Sequence, residues 1–277
     1  MLKRAIFGAL YVAIIIIGIL CGPLVFLLLL LTLSTLGVNE FLNMTGDPAA
    51  GRGPSEATVA MLLRSLDCVG AAVLVVTVWV NSLFLPGIVT YILYLLMRLT
   101  IQLWVRNADA LRSLSTSMMS QLYVALPIAL MSIVYRLSPH LVLLLFILVW
   151  VNDTFAYLTG RRFGRRKLWE RISPKKTFEG LWGGMAMTVI VAVVCGIFFS
   201  RYFAGMGVLA MGILGIVVSA AATLGDLVES LLKRTVGVKD SGAIIPGHGG
   251  ILDRIDSILL VVPASLVYIF FCYYYAV

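Results

Sequence analysis

Apolar runs of roughly 20 residues, broken by short polar stretches, fill almost the whole chain. They lie near 5–21, 23–39, 58–80, 83–103, 119–136, 139–159, 181–200, 207–225 and 258–275. As a helix, each is long enough to cross a hydrocarbon core about 30 Å thick. Gly22-Pro23 makes a tight break between the first two. Arg64, Asp67 and Arg98 interrupt the middle runs, and Arg64 with Asp67 reads as a buried ion pair serving packing. The pattern predicts an all-α, polytopic helical membrane protein with about nine transmembrane helices, built as a single membrane domain over 1–277.

Composition agrees with the pattern. Hydrophobic residues make up 61% of the chain and charged residues 12%, and the mean hydropathy is +1.04, so lipid rather than water is the solvent this sequence requires. Cys21, Cys68, Cys195 and Cys272 stand apart among apolar residues without CxxC spacing, which argues against a zinc site or a disulfide framework. The segment after Lys3 and Arg4 lacks a small-residue cleavage site and is followed at once by a second apolar run. It reads as a retained first helix.

Charge sets the expected orientation. With nine spans and the N-terminus inside, all but Arg136 and Arg201 of the 21 lysines and arginines fall on one side, as the positive-inside rule asks of the cytoplasmic face. The expected location is the inner, cytoplasmic membrane, with the basic loops facing the cytoplasm. The net charge of +8 is concentrated there. Those loops are tied to membrane spans and carry no recognisable nucleic-acid module, so nucleic acid is excluded as a partner.

Two of the inner segments carry more than topology demands. Between Asp226 and Asp256 the chain gathers five carboxylates, four basic residues and His248. Carboxylates near bilayer depth cost roughly 2.5 to 3.5 kcal/mol at a helix centre and usually mark function. Asp226 with Glu229, and Asp253 with Asp256, are three apart and share a face wherever those segments are helical. Such like-charge pairs ask for a cation, and oxygen ligands without a nearby cysteine favour magnesium shared with substrate phosphates. Lysines and arginines among them suit phosphate oxygens, and Gly242, Gly247, Gly249 and Gly250 permit close backbone approach. In the other segment, 160–180, Ser173 suits a helix N-cap and Pro174 the first helical position. Free amides beside Lys175 and Lys176 would then form an anion site.

From Ser230 to Asp256 the chain fills, without a gap, the pattern S-x2-K-R-x4-K-D-x5-P-x-H-G-G-x2-D-R-x-D. This resembles the signature of the phosphatidate cytidylyltransferases, also called CDP-diacylglycerol synthases. Asp153-x2-Ala156-Tyr157-x2-Gly160 and Ser173-Pro174-Lys175-Lys176-Thr177-x-Glu179-Gly180 are similar to further segments of the same family. The resemblance covers roughly 150–277, making 138–277 the expected catalytic part, with loops 160–180 and 226–257. Residues 1–137 supply N-terminal helices to which nothing functional is carried over.

The resemblance implies transfer of a cytidylyl group from CTP to phosphatidic acid, giving CDP-diacylglycerol and pyrophosphate. It implies catalytic roles for Asp226, Lys233, Lys239, Asp240, His248, Asp253, Arg254 and Asp256. Substrate would be contacted by Asn152, Asp153, Tyr157, Ser173, Lys175, Lys176, Thr177, Glu179, Arg234, Gly249 and Gly250. Magnesium is assigned to Asp226 and Asp253, with Asp256 as a further ligand and a second cation as an option; a homodimer is the family-level expectation. Two other readings stand beside this one. One is an ion-coupled transporter of an anionic solute, against which the clustering of charge at one face and the lack of an internal repeat both count. The other is a cytidylyltransferase acting on another lipid phosphate. More modest readings compete as well: topology alone accounts for the basic run 161–176, and Glu170 and Asp109 read as solvated charges.

Overall fold

The computed structural model describes residues 2–46, 54–105, 109–242 and 249–275. In chain order its helices are α1 Leu2–Leu20, α2 Pro23–Met44, α3 Pro54–Trp79, α4 Phe84–Ile101, α5 Ala110–Ser120, α6 Leu126–Leu137, α7 Pro139–Phe163, α8 Phe178–Phe199, α9 Val208–Thr235 and α10 Leu252–Tyr275. Among the described residues eight helical spans are long and apolar enough to cross a membrane, the fourth of them running from α5 into α6. In α1 the apolar stretch Phe7–Leu20 is shorter. The protein is thus a polytopic helical membrane protein, as the hydrophobic pattern predicts.

Two local expectations are corrected. The segment before α8 is a strand and not a helix start: β2 (Ser173–Thr177) pairs antiparallel with β1 (Lys167–Trp169), with Lys167 opposite Thr177 and Trp169 opposite Ser173. This short hairpin is a local exception in an otherwise helical chain. Thr177, and not Ser173, caps α8, its hydroxyl accepting from Gly180 N at 3.1 Å. The backbone groups that a helix at Ser173 would need are engaged in the hairpin ladder, and Pro174 is tolerated because this two-stranded ribbon is all edge. Asp109 is likewise more than a solvated charge, because it caps α5 by accepting from Arg112 N at 2.9 Å.

The chain divides into two compact units, Met1–Ile133 with Val236–Arg254, and Val134–Thr235 with Ile255–Val277. In the first, α2 packs on α1 and α3, and α3 packs on α4. Its interior holds an ion pair with a partner other than the expected one: Asp67 Oδ1 lies 3.3 Å from Arg98 Nε, and both side chains are 2% exposed. Tyr94 and Ser117 donate to the same carboxylate oxygen at 2.9 and 2.8 Å, and Gln121 donates to the Asp67 carbonyl. Gln121 opens a π-helical turn, Gln121–Ala125, that joins α5 to α6. The Ser-rich α5 looks too polar to be part of a span. One face of it is buried, where Ser113 and Ser117 meet this network.

In the second unit α8 packs between α7 and α9. The α7–α8 crossing is close because α8 presents glycines to it. A Cβ on Gly180 would stand 2.7 Å from the Ala156 carbonyl, and one on Gly184 would stand 2.9 Å from that of Asn152. Small residues at the seam let membrane helices approach at backbone distance.

Candidate active site

The second unit brings together residues from four stretches of chain. Asn152 and Asp153 lie on α7; Asn152 is buried, its Oδ1 accepting from Ser219 Oγ of α9 at 2.6 Å, while its amide reaches Asp153 Oδ1 at 3.5 Å. Strand alternation in β2 leaves Lys175 exposed and turns the half-buried Lys176 the other way. Lys176 Nζ meets Asp226 Oδ2 of α9 at 2.7 Å and the Thr223 carbonyl at 3.4 Å. A cavity of about 390 Å³ opens here, lined among others by Asn152, Asp153, Tyr157, Arg161, Lys175 and Asp226.

Asp256 joins this group through a glycine the sequence reading passed over. Gly225 meets α10 so closely that a Cβ there would lie 2.8 Å from the Asp256 carbonyl and 2.9 Å from Ser257 Cα. Asp226, the next residue, and Asp256 are brought within electrostatic reach of each other and of Asp153, and Glu229 contacts Asp256. Facing these four carboxylates are Lys176 and Lys233, the latter 3.1 Å from Glu229. With Lys175 and Arg161 on the same cavity the four acids are matched by four basic groups, so it is the clustering of oxygen donors, and not a net charge, that would suit a divalent cation. Among the described residues no three His, Cys, Asp or Glu side chains are gathered at ligating distance. Magnesium does not require three, since it typically takes one or two carboxylates and completes its shell with waters and substrate phosphates. The donor chemistry therefore fits.

The remaining expected residues are placed as follows. Thr177 is occupied in capping α8, and Ser173 is half-buried at the start of β2. Glu179 accepts from the amides of Arg165 and Arg166 at 3.0 to 3.3 Å, holding the turn that leads into the hairpin. Tyr157 is exposed, with its hydroxyl 3.4 Å from Arg161 Nη1. Lys233 and Arg234 fall within the last turn of α9, which continues to Thr235, so Asp226 and Glu229 are helical and share a face as their spacing suggests.

In the first unit, Lys239 and Asp240 are exposed. Asp253 Oδ2 accepts from Ser241 N, Ser241 Oγ and Gly250 N at 2.9, 3.0 and 2.8 Å. Gly249 has a positive φ of 82°, the left-handed backbone that glycine adopts freely. Arg254 lies in the first turn of α10, its carbonyl accepting from Tyr11 at 3.0 Å. His248 and Gly247 lie outside the described residues. Glu40 of α2, absent from the sequence reading, accepts from Leu252 N at 2.9 Å. The available signal was a carboxylate closing an otherwise apolar helix.

A family model described as the cytidylyltransferase family matches residues 2–272. A phosphatidate cytidylyltransferase of Staphylococcus saprophyticus is 40% identical over 185 residues, 67% of this chain and 69% of the relative. One from Staphylococcus haemolyticus is 38% identical over the same shares of both chains. One from Staphylococcus epidermidis is 48% identical over 122 residues, 44% of this chain and 46% of that protein.

Proposed function

The chain belongs to the cytidylyltransferase family, and on that premise we propose that it makes CDP-diacylglycerol from CTP and phosphatidic acid. The observation that carries this reading is the Lys176–Asp226 contact, which ties the Ser173–Gly180 segment of the family pattern to the helix leading into Ser230, in a cavity lined by both basic and acidic groups.

In the reaction a phosphate oxygen of phosphatidic acid forms a new bond to the α-phosphorus of CTP while the bond from that phosphorus to the β-phosphate bridge oxygen breaks. Pyrophosphate leaves with the electron pair. A phosphate monoester is largely ionised near neutral pH, its second pKa being about 6, so the nucleophile needs no general base. Transfer of this kind depends on positioning and charge neutralisation more than on covalent help. Lys175, Lys176 and Arg161 line the cavity where phosphates would collect, and Asp226 holds the Lys176 ammonium in place. By the sequence pattern Lys233, Lys239, Arg234 and Arg254 add to the phosphate grip. Asp226 and Asp256, with Asp253 by the same pattern, would hold magnesium. Bound there, magnesium would neutralise charge on the phosphates.

Orientation with the site toward the cytoplasm is supported by the distribution of lysine and arginine. A homodimer is proposed on the family resemblance alone. The test is incubation of purified protein with labelled CTP, magnesium and phosphatidic acid, followed by extraction of a lipid-soluble cytidine product. Its absence overturns the reading. Greater yield with a different lipid phosphate moves the substrate assignment and leaves the chemistry.

A further inference from the structure

Glu40 is an acidic residue in an apolar helix, only 2% exposed, and the reaction above gives it nothing to do. Its Oε2 accepts from Leu252 N, the first residue of α10, at 2.9 Å. Among the described residues its Oε1 has no hydrogen-bond partner, although burying a carboxylate without full pairing is costly. Both oxygens lie against loop glycines. A Cβ on Gly242 would sit 2.6 Å from Oε1, and one on Gly250 would sit 2.5 Å from Oε2. Gly37, one helical turn earlier, receives the fully buried Leu252. From α1, Tyr11 adds its bond to the Arg254 carbonyl.

We infer that Glu40 is a positioning residue, through which an N-terminal helix fixes the start of α10 and the signature glycines Gly242 and Gly250. The first amides of a helix have no partner within it, and a carboxylate placed there satisfies one of them and suits the helix dipole. Leu252 is followed directly by Asp253 and Arg254, and Asp253 in turn holds Ser241 and Gly250. Glu40 therefore sets the backbone from which those side chains project. Only small residues at 242 and 250 let its carboxylate in. The N-terminal helices thereby help to hold the part of the signature segment that carries Asp253 and Arg254. The inference rests on the cytidylyl-transfer reading for its functional consequence, but not for its structural one.

The experiment compares wild type with Glu40→Ala, Glu40→Gln and Gly242→Ala, reading amide hydrogen exchange and CDP-lipid formation in purified protein. Glu40→Ala is expected to raise exchange in 236–242 and 249–256 while α3, α4 and α5 stay protected. Turnover should fall roughly tenfold to a hundredfold, the range for losing a hydrogen bond to a charged group. Glu40→Gln keeps an acceptor for Leu252 N and should recover most of both losses. Gly242→Ala crowds the carboxylate without removing it and should raise exchange in the same segments. Added to Glu40→Ala it should cost little more, since groups acting as a unit are non-additive. Unchanged exchange in Glu40→Ala, or a rise spread evenly over the helices, overturns the inference. Wild-type protein that makes no CDP-lipid overturns the transfer reading instead, and the exchange measurement still decides the role of Glu40.

Discussion

Lys176 Nζ lies 2.7 Å from Asp226 Oδ2, so the hairpin before α8 and the end of α9 share one ion pair at the edge of the cavity. Both side chains are partly exposed, at 23% and 37%. Pairs of this kind contribute about 0 to 1 kcal/mol to stability, which leaves the ammonium free to serve a substrate phosphate at little structural cost.

Lys176→Gln should therefore separate function from folding. The catalytic efficiency is expected to fall about tenfold or more, as for loss of a charge-assisted phosphate contact worth roughly 1.5 to 3 kcal/mol. The unfolding midpoint should shift by no more than about 1 kcal/mol equivalent. Rates measured with CTP and phosphatidic acid each varied, beside a thermal melt, check both halves. Unchanged kinetics would reduce the segment to a topological signal.

A second measurement concerns the acids. If Asp226 and Asp256 serve one magnesium, Asp226→Asn and Asp256→Asn should each abolish nearly all turnover, because this ion tolerates poor ligands badly. The double variant should then be scarcely worse than either single one, since residues that act as a unit are grossly non-additive. Losses that multiply cleanly at saturating magnesium would dismiss the shared ion.

The buried Asp67–Arg98 pair makes a prediction about stability. Arg98→Met removes the cation beside the Asp67 carboxylate, whose Oδ1 also accepts from Tyr94 and Ser117. Breaking one side of a buried pair typically costs about 3 to 5 kcal/mol. Replacing both partners, as in Asp67→Leu with Arg98→Met, should recover much of that loss, since apolar substitutes of similar volume are often neutral. Denaturant unfolding of the two singles and the double measures the coupling, and a single variant as stable as wild type would contradict it.

Orientation is testable by labelling. With the native cysteines removed, Lys239→Cys sits on an exposed residue and should react with a membrane-impermeant thiol reagent in inverted vesicles but not in intact cells. Labelling in intact cells would place the site on the far side from cytoplasmic CTP.

The hydrophobic pattern was enough to establish a polytopic helical protein, because crossing a bilayer demands runs of apolar residues that no other fold needs. It also marked out Asp226, Lys176 and the Ser230–Asp256 segment, since charges so costly near lipid stand out in a single sequence. Local signals failed where two segments compete for the same backbone groups. Ser173-Pro174 has the residues of a helix start, yet pairing with Lys167–Trp169 claims it as a strand and passes the cap to Thr177. Partner choice was equally invisible, since Asp67 is three residues from Arg64 in sequence but pairs with Arg98 in space. The meeting of Gly225 with Asp256, and of Glu40 with Leu252, Gly242 and Gly250, depends on which helices pack together. Those contacts join residues distant in the chain, and no periodicity or spacing encodes them. Only the tertiary structure decides them, through the close approach of backbones that small residues permit.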